Sequence, residues 1–132
     1  IVKIINTGGF MPGSSVITHK GKRIVLNDFS NATTEEIVAT IKQAEELIRT
    51  QPPESVYVIT DTSGRSMYNK ETAAAFKEFV AGNKPYVKMS VVIGLDGIKK
   101  VLYDAVILFS KRKNLVTMNT LEEAKEFLAK QS

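Results

Sequence analysis

Short β-branched runs alternate with capped amphipathic helices along most of this chain, and that alternation leaves few folds open. Val56-Tyr57-Val58-Ile59 is a nearly continuous apolar run, as suits a strand covered on both faces. Ahead of it, Thr33 and Glu36 stand at capping-box spacing, with Thr34 as the alternative start one residue on. Ile37, Ile41, Ala44 and Ile48, joined by Val38 and Leu47, then recur at helical spacing until Thr50-Gln51-Pro52-Pro53 ends the helix. Behind the run, Asn69 opens a helix that places Ala73, Phe76 and Val80 on one side, with Ala74 and Phe79 beside them, and Gly82-Asn83-Lys84-Pro85 stops it. Another strand is predicted over 87–93, ending in Gly94-Leu95-Asp96-Gly97. A third helix follows over about 98–109, with a broad apolar face of Val101, Leu102, Ala105, Leu108 and Phe109. A short strand over 114–118 precedes a last helix, opened by Thr120 and Glu123 at capping-box spacing and packing Leu121, Ala124, Phe127 and Leu128.

The first thirty residues read as strands and turns. Val2 to Ile5 is a short β-prone run closed by Gly8-Gly9 and Pro12-Gly13. Val16-Ile17-Thr18 then turns through Lys20-Gly21-Lys22 into a strand over 23–29, a hairpin leading into an inner strand. Strands that alternate with helices of this length specify a mainly parallel sheet. The fold predicted is therefore α/β: a single domain over 1–132, a mostly parallel mixed sheet with about four helices, and an N-terminal antiparallel hairpin.

Composition excludes several chemistries. The chain of 132 residues has no cysteine, which removes disulfides, thiol catalysis and thiolate-bound metals, and a single histidine, His19, at an early turn. After Gly82, nine basic residues face five acidic ones, so that half carries the whole formal charge of +4. Ordinary solvation accounts for this; a nucleic-acid or acidic-lipid face is the sharper alternative. No basic tract interleaved with aromatics supports nucleic acid, and none is expected as a partner. No apolar run approaches the length of a membrane span, and Ile1-Val2-Lys3-Ile4-Ile5-Asn6 turns polar too soon for a signal peptide, so a cytoplasmic protein is expected.

In open α/β sheets ligands bind beyond the carboxyl ends of the strands. Two loops qualify here: Asp61-Thr62-Ser63-Gly64-Arg65 and Gly94-Leu95-Asp96-Gly97, with Asn27-Asp28-Phe29-Ser30 as a third neighbour on the rim. Their glycines allow close backbone approach, and Arg65, Lys99 and Lys100 supply positive charge for a phosphate or carboxylate. The same residues are also what a plain turn needs, because short Asp and Ser side chains bond to nearby backbone. Asp28, Asp61 and Asp96 imitate a magnesium site, yet loop acids at strand ends arise readily in this architecture, and no metal or other cofactor is expected. Tyr68 and Tyr103 are the aromatics best placed to wall a pocket. No phosphate-binding loop, dinucleotide fingerprint or nucleophile elbow is present, and the Asp-Thr-Ser-Gly corner breaks the Asp-Thr-Gly spacing of aspartic proteases.

Taken in order, these segments resemble the STAS/SpoIIAA-like family of small bacterial proteins, divergent relatives of the anti-sigma-factor antagonists within a fold group that includes the CRAL-TRIO-like lipid binders. The resemblance is strongest over 20–130. It rests on G21-K22-R23-I24-V25-L26-N27-D28-F29-S30, on V58-I59-T60-D61-T62-S63-G64, on N83-K84-P85-Y86-V87, on Val92-Ile93-Gly94-Leu95-Asp96-Gly97 leading into K99-K100-V101-L102-Y103, and on T120-L121-E122-E123-A124-K125-E126-F127-L128. In the antagonists the strand end reads Asp-Ser-Ser-Gly and its first serine is phosphorylated by a partner kinase. By that resemblance Asp61 matches the acid, Thr62 the phosphoacceptor, Ser63 the second hydroxyl and Gly64 the glycine. The antagonists continue Gly-Leu-Gly straight into the helix, whereas this chain first inserts Arg65-Ser66-Met67-Tyr68-Asn69.

The resemblance implies a non-enzymatic regulatory or protein-interaction module. Its partner would be a kinase, an anti-sigma-like protein or another regulator, met through Asp61, Thr62, Ser63, Gly64, Arg65, Gly94, Asp96, Gly97 and Lys100. The alternative is a carrier of a small apolar, lipid-like ligand, with a closed cavity of roughly several hundred cubic ångströms near Tyr68 and Tyr103. An enzyme using strand-end carboxylates is third. An exposed sheet edge near residues 1–18 makes a homodimer plausible.

Overall fold

A computed structural model describes residues 13–131; the strand expected over 2–5 and the turn residues Gly8, Gly9 and Pro12 lie outside the described residues. The elements follow in the order β1 (Gly13–His19), β2 (Lys22–Asp28), α1 (Thr34–Arg49), β3 (Val56–Asp61), α2 (Lys70–Asn83), β4 (Val87–Ile93), α3 (Gly97–Ser110), β5 (Leu115–Met118) and α4 (Leu121–Ala129). The five strands form one sheet in the order β1-β2-β3-β4-β5. β1 and β2 are antiparallel, and every other pair is parallel. The protein is thus α/β, with four helices and a β1–β2 hairpin on a mixed sheet among the described residues.

The helix starts follow from the caps that the spacing predicts. Thr33 Oγ1 accepts the Glu36 N–H at 3.1 Å while Glu36 Oε1 accepts the Thr33 N–H at 2.9 Å. Thr120 and Glu123 repeat this exchange at the start of α4. At α2 the reciprocal partner of Asn69 is Thr72, whose hydroxyl accepts the Asn69 N–H at 2.8 Å. Each box satisfies two helix-end donors that the first turn leaves unpaired.

Residues of β2, β3 and β4 alternate between two cores because the sheet is covered on both faces. Val25, Val56, Val58 and Val87 pack with α1 and α2 around Phe29, which meets Phe76 edge-to-face at 4.9 Å between ring centres. On the opposite face Ile24, Tyr57, Ile59, Val91 and Ile93 pack against Ala124 and Leu128 of α4. The parallel register aligns Asp28 with Asp61, Asp61 with Ile93, and Ile93 with Met118. All the loops that leave these strand ends therefore emerge on one rim. Among the described residues β1 is an edge strand, and there the Ser14 N–H donates to Gln43 Oε1 of α1 at 3.1 Å, which covers part of it.

The inner face of α3 differs from the expectation. Val106 is buried and Leu102 half-buried, whereas Ala105 and the large Val101, Leu108 and Phe109 are exposed, the last three by 64, 80 and 52%. The helix is apolar nearly all round from Val101 to Phe109, interrupted only by Tyr103 and Asp104. Spacing alone therefore does not choose which stripe turns inward.

Candidate functional site

The corner after β3 is built as a turn whose polar groups are mostly used. Asp61 Oδ1 accepts the Ser63 N–H at 2.9 Å, an Asx turn, and the Asp61 carbonyl accepts the Phe29 N–H. Thr62, 7% exposed, gives both its backbone N–H and its hydroxyl to the Ile93 carbonyl, the latter at 2.8 Å. Its own carbonyl accepts the ammonium of Lys99 at 2.8 Å, and the Gly64 carbonyl accepts the same ammonium at 3.2 Å. Lys99 is buried, with Asp96 Oδ1 3.4 Å away, so this first-turn side chain of α3 pins the rim loop rather than offering a cation to solvent. Ser63 is half-buried, and Gly64 and Arg65 are exposed.

Gly94 lets the two loops meet. Its φ is +81°, and a Cβ there would stand 2.5 Å from Ser63 Oγ and 2.6 Å from Ser63 N. The longer segment 64–69 is tied down too: Arg65 N–H donates to Asn31 Oδ1 at 2.8 Å, Met67 N–H to the Ala32 carbonyl at 2.8 Å, and Ser66 Oγ to the Phe29 carbonyl.

Six of the residues singled out from the sequence line one open depression on the rim, about 480 Å³ in volume: Ser63, Gly64, Gly94, Asp96, Lys100 and Tyr103. Leu95, Asp104, Thr117, Met118 and Asn119 complete it without having been singled out as site residues. Asp61, Thr62, Arg65, Gly97 and Tyr68 do not line it. The three acids are not gathered: Asp28 Oδ1 holds Ser30, Asp61 holds Ser63, and Asp96 projects into solvent at the start of α3. Among the described residues, no group of three His, Asp or Glu side chains is placed to hold a metal ion.

Beneath the rim a second space lies between the sheet and helices α2 and α3. Both Tyr68 and Tyr103 line it, with Val58, Phe76, Leu102 and Val106 among its apolar walls. It measures about 70 Å³, well below the several hundred expected, because Phe76 and Phe79 of α2 and Val106 of α3 fill most of the gap. Burial raises the pKa of both tyrosines; the neighbouring Ser66 hydroxyl offsets part of this at Tyr68, and Asp104 adds to it at Tyr103. The Tyr68 hydroxyl is buried beside the Ser66 hydroxyl, with no hydrogen bond of normal geometry among the described residues. Arg112, just past the end of α3, also lines this space, and nothing in the sequence around it marked it as a site residue.

No family model and no curated protein matches this sequence. No helix among the described residues is long and apolar enough to cross a membrane.

Proposed function

We propose that this chain is a non-enzymatic regulatory module of STAS/SpoIIAA-like type that binds a protein partner through α3 and the adjoining rim. The exposed stripe Val101-Ala105-Leu108-Phe109 carries this reading. Apolar side chains at i, i+4, i+7 and i+8 on an outward helix face, three of them large here, are the anchors that a groove or helix on a partner buries. The rim depression beside it offers Ser63, Asp96 and Lys100 for polar contacts that fix orientation. Ser63 is the more exposed of the two corner hydroxyls, so a regulatory phosphate in this reading falls on Ser63 rather than on the inward-bonded Thr62. A phosphate adds about −1.5 to −2 charges at pH 7, enough to reject an acidic partner surface at this rim.

The test is capture from the native proteome with the intact chain and with the Leu108→Glu, Phe109→Glu double variant. Both positions are exposed, so the variant's unfolding free energy should stay within about 1 kcal/mol of the parent's. Loss of a specific partner with the fold intact supports the reading; an unchanged partner set defeats it.

The cavity favours a second reading, a carrier of a small apolar ligand. Its walls are almost wholly apolar, and both predicted pocket tyrosines contribute to them.

A further inference from the structure

Four lysines gather where β3, β4 and β5 enter the sheet, at the opposite end from the rim. Lys84, Lys88, Lys111 and Lys113 line one open depression of about 480 Å³, and Glu54 is the one acid beside them. All four are exposed, and none of their ammonium groups pairs with a carboxylate among the described residues. The backbone that carries them is tied together. Asn114 Nδ2 donates to the Val87 carbonyl at 2.7 Å, and the Glu54 N–H donates to the Pro85 carbonyl at 3.0 Å. Like charges held in one concavity repel one another and concentrate anions there.

The backbone singles out one of the four. Lys111 ends α3 with a φ of +57°, in the left-handed conformation that glycine favours at this position. A helix C-terminus attracts a cation anywhere in its last turn, so it does not by itself call for one here. Glu54, on the same depression, is left-handed as well, with a φ of +51°. Side chains kept at such positions cluster at binding sites.

The lining sets the chemistry of the ligand. Its cations are all lysines, point charges that suit a tetrahedral phosphate, rather than the planar fork of an arginine that selects a carboxylate. No aromatic side chain among the described residues lines it, so nothing there stacks on a base, and its one apolar residue, Val87, is buried. A nucleic-acid backbone calls for cations spread along a stripe, whereas these meet at one spot. We infer that this depression binds a multiply charged phosphate, either a free chain of phosphoryl groups or the phosphomonoester headgroup of a lipid.

The experiment titrates the whole chain, isotopically labelled, with sodium tripolyphosphate and with sodium chloride at matched ionic strength. In parallel the chain is sedimented with phosphatidylcholine vesicles, with and without phosphatidic acid. Tripolyphosphate is expected to shift the amides of 84–88 and 111–114 saturably, and chloride to leave them in place. Lys111→Gly and Lys113→Gln should each weaken binding by up to about fivefold, the range of an exposed ion pair. Lys111→Gly should at the same time raise Tm, because glycine relieves the left-handed backbone, so its weaker binding is not a loss of fold. Lys100→Gln, at the rim, should change neither. Saturable shifts with tripolyphosphate and no sedimentation assign a free phosphate. Sedimentation that requires phosphatidic acid and is lost in the Lys111→Gly, Lys113→Gln double variant assigns a lipid headgroup. Shifts that chloride reproduces, an affinity that both variants leave unchanged, or a response to neither phosphate overturn the inference. Sedimentation that the double variant retains, without tripolyphosphate binding, places the lipid contact elsewhere and overturns it too.

Discussion

At the scale of single residues, the rim is held by contacts that tolerate little change. Gly94 combines a left-handed φ of +81° with Ser63 packed where a side chain would begin. Gly94→Ala therefore adds backbone strain to a steric clash, and is expected to destabilise the protein by about 1–3 kcal/mol. Urea unfolding followed by circular dichroism measures this; an unchanged midpoint would mean that the two loops separate freely. The sequence placed Gly94 at a strand end and proposed close approach there, because glycine next to Asp and Ser is a legible turn signal. It did not reveal the direction of each side chain. Thr62 is identical in type to an exposed acceptor hydroxyl, and only the parallel register that brings Ile93 beside Asp61 turns it inward. Arg112 carried no signal at all, since Lys111-Arg112-Lys113 reads as a solvated basic run and burial of its middle member depends on α3 ending beside α2.

At the scale of elements, caps were legible and faces less so. The Thr33/Glu36 and Thr120/Glu123 boxes depend on residues three apart, so the chain specifies them without tertiary help. The stripe that α3 buries depends on what lies beneath it, and a helix apolar on most sides leaves that undetermined. α4 shows a tertiary tether of a different kind. Glu126 accepts from His19 Nε2 at 2.9 Å and from Lys20 Nζ at 2.8 Å, joining the β1–β2 turn to the last helix across more than a hundred residues. Hydrogen bonds from Lys20 and His19 lower its pKa from the ordinary 4.5 to about 2. A carboxyl depressed in the folded state contributes stability that is fully present above its unfolded pKa and is lost as pH falls through the folded one. The stability difference between the parent and Glu126→Gln should accordingly be constant from pH 7 to about 5, then shrink between about 4.5 and 2. The increment is small, because solvent screens an exposed carboxylate. Urea midpoints of both proteins across that range measure it, and a difference that grows on acidification would contradict the tether.

At the scale of the whole molecule, α3 stands apart from the sheet that organises everything else. It packs chiefly against α2, and the cavity lies where a better-seated helix would meet β4. Its N-cap, Asp96, makes no side-chain cap bond, unlike those of α1, α2 and α4, and its C-cap, Lys111, holds a left-handed φ of +57° that favours glycine. The exposed stripe adds no burial to offset these losses. An element with little buried surface and weak ends opens at a lower free energy than the molecule unfolds. Amides of 101–109 should therefore exchange through a sub-global opening, while those of β2, β3 and β4 exchange only on global unfolding. Hydrogen exchange across a denaturant series separates the two: α3 amides begin with shallow slopes and join the global isotherm at higher denaturant. If they track the β3 amides throughout, α3 is an integral part of the core. If they open early, the same motion uncovers Arg112 and the cavity, and anything that binds there or on the outer stripe must raise α3 protection. An occupant lost on opening at a hundredfold excess over its Kd raises that protection by about 2.7 kcal/mol. That increment, read on α3 amides alone, tells a ligand of this site from one that binds elsewhere.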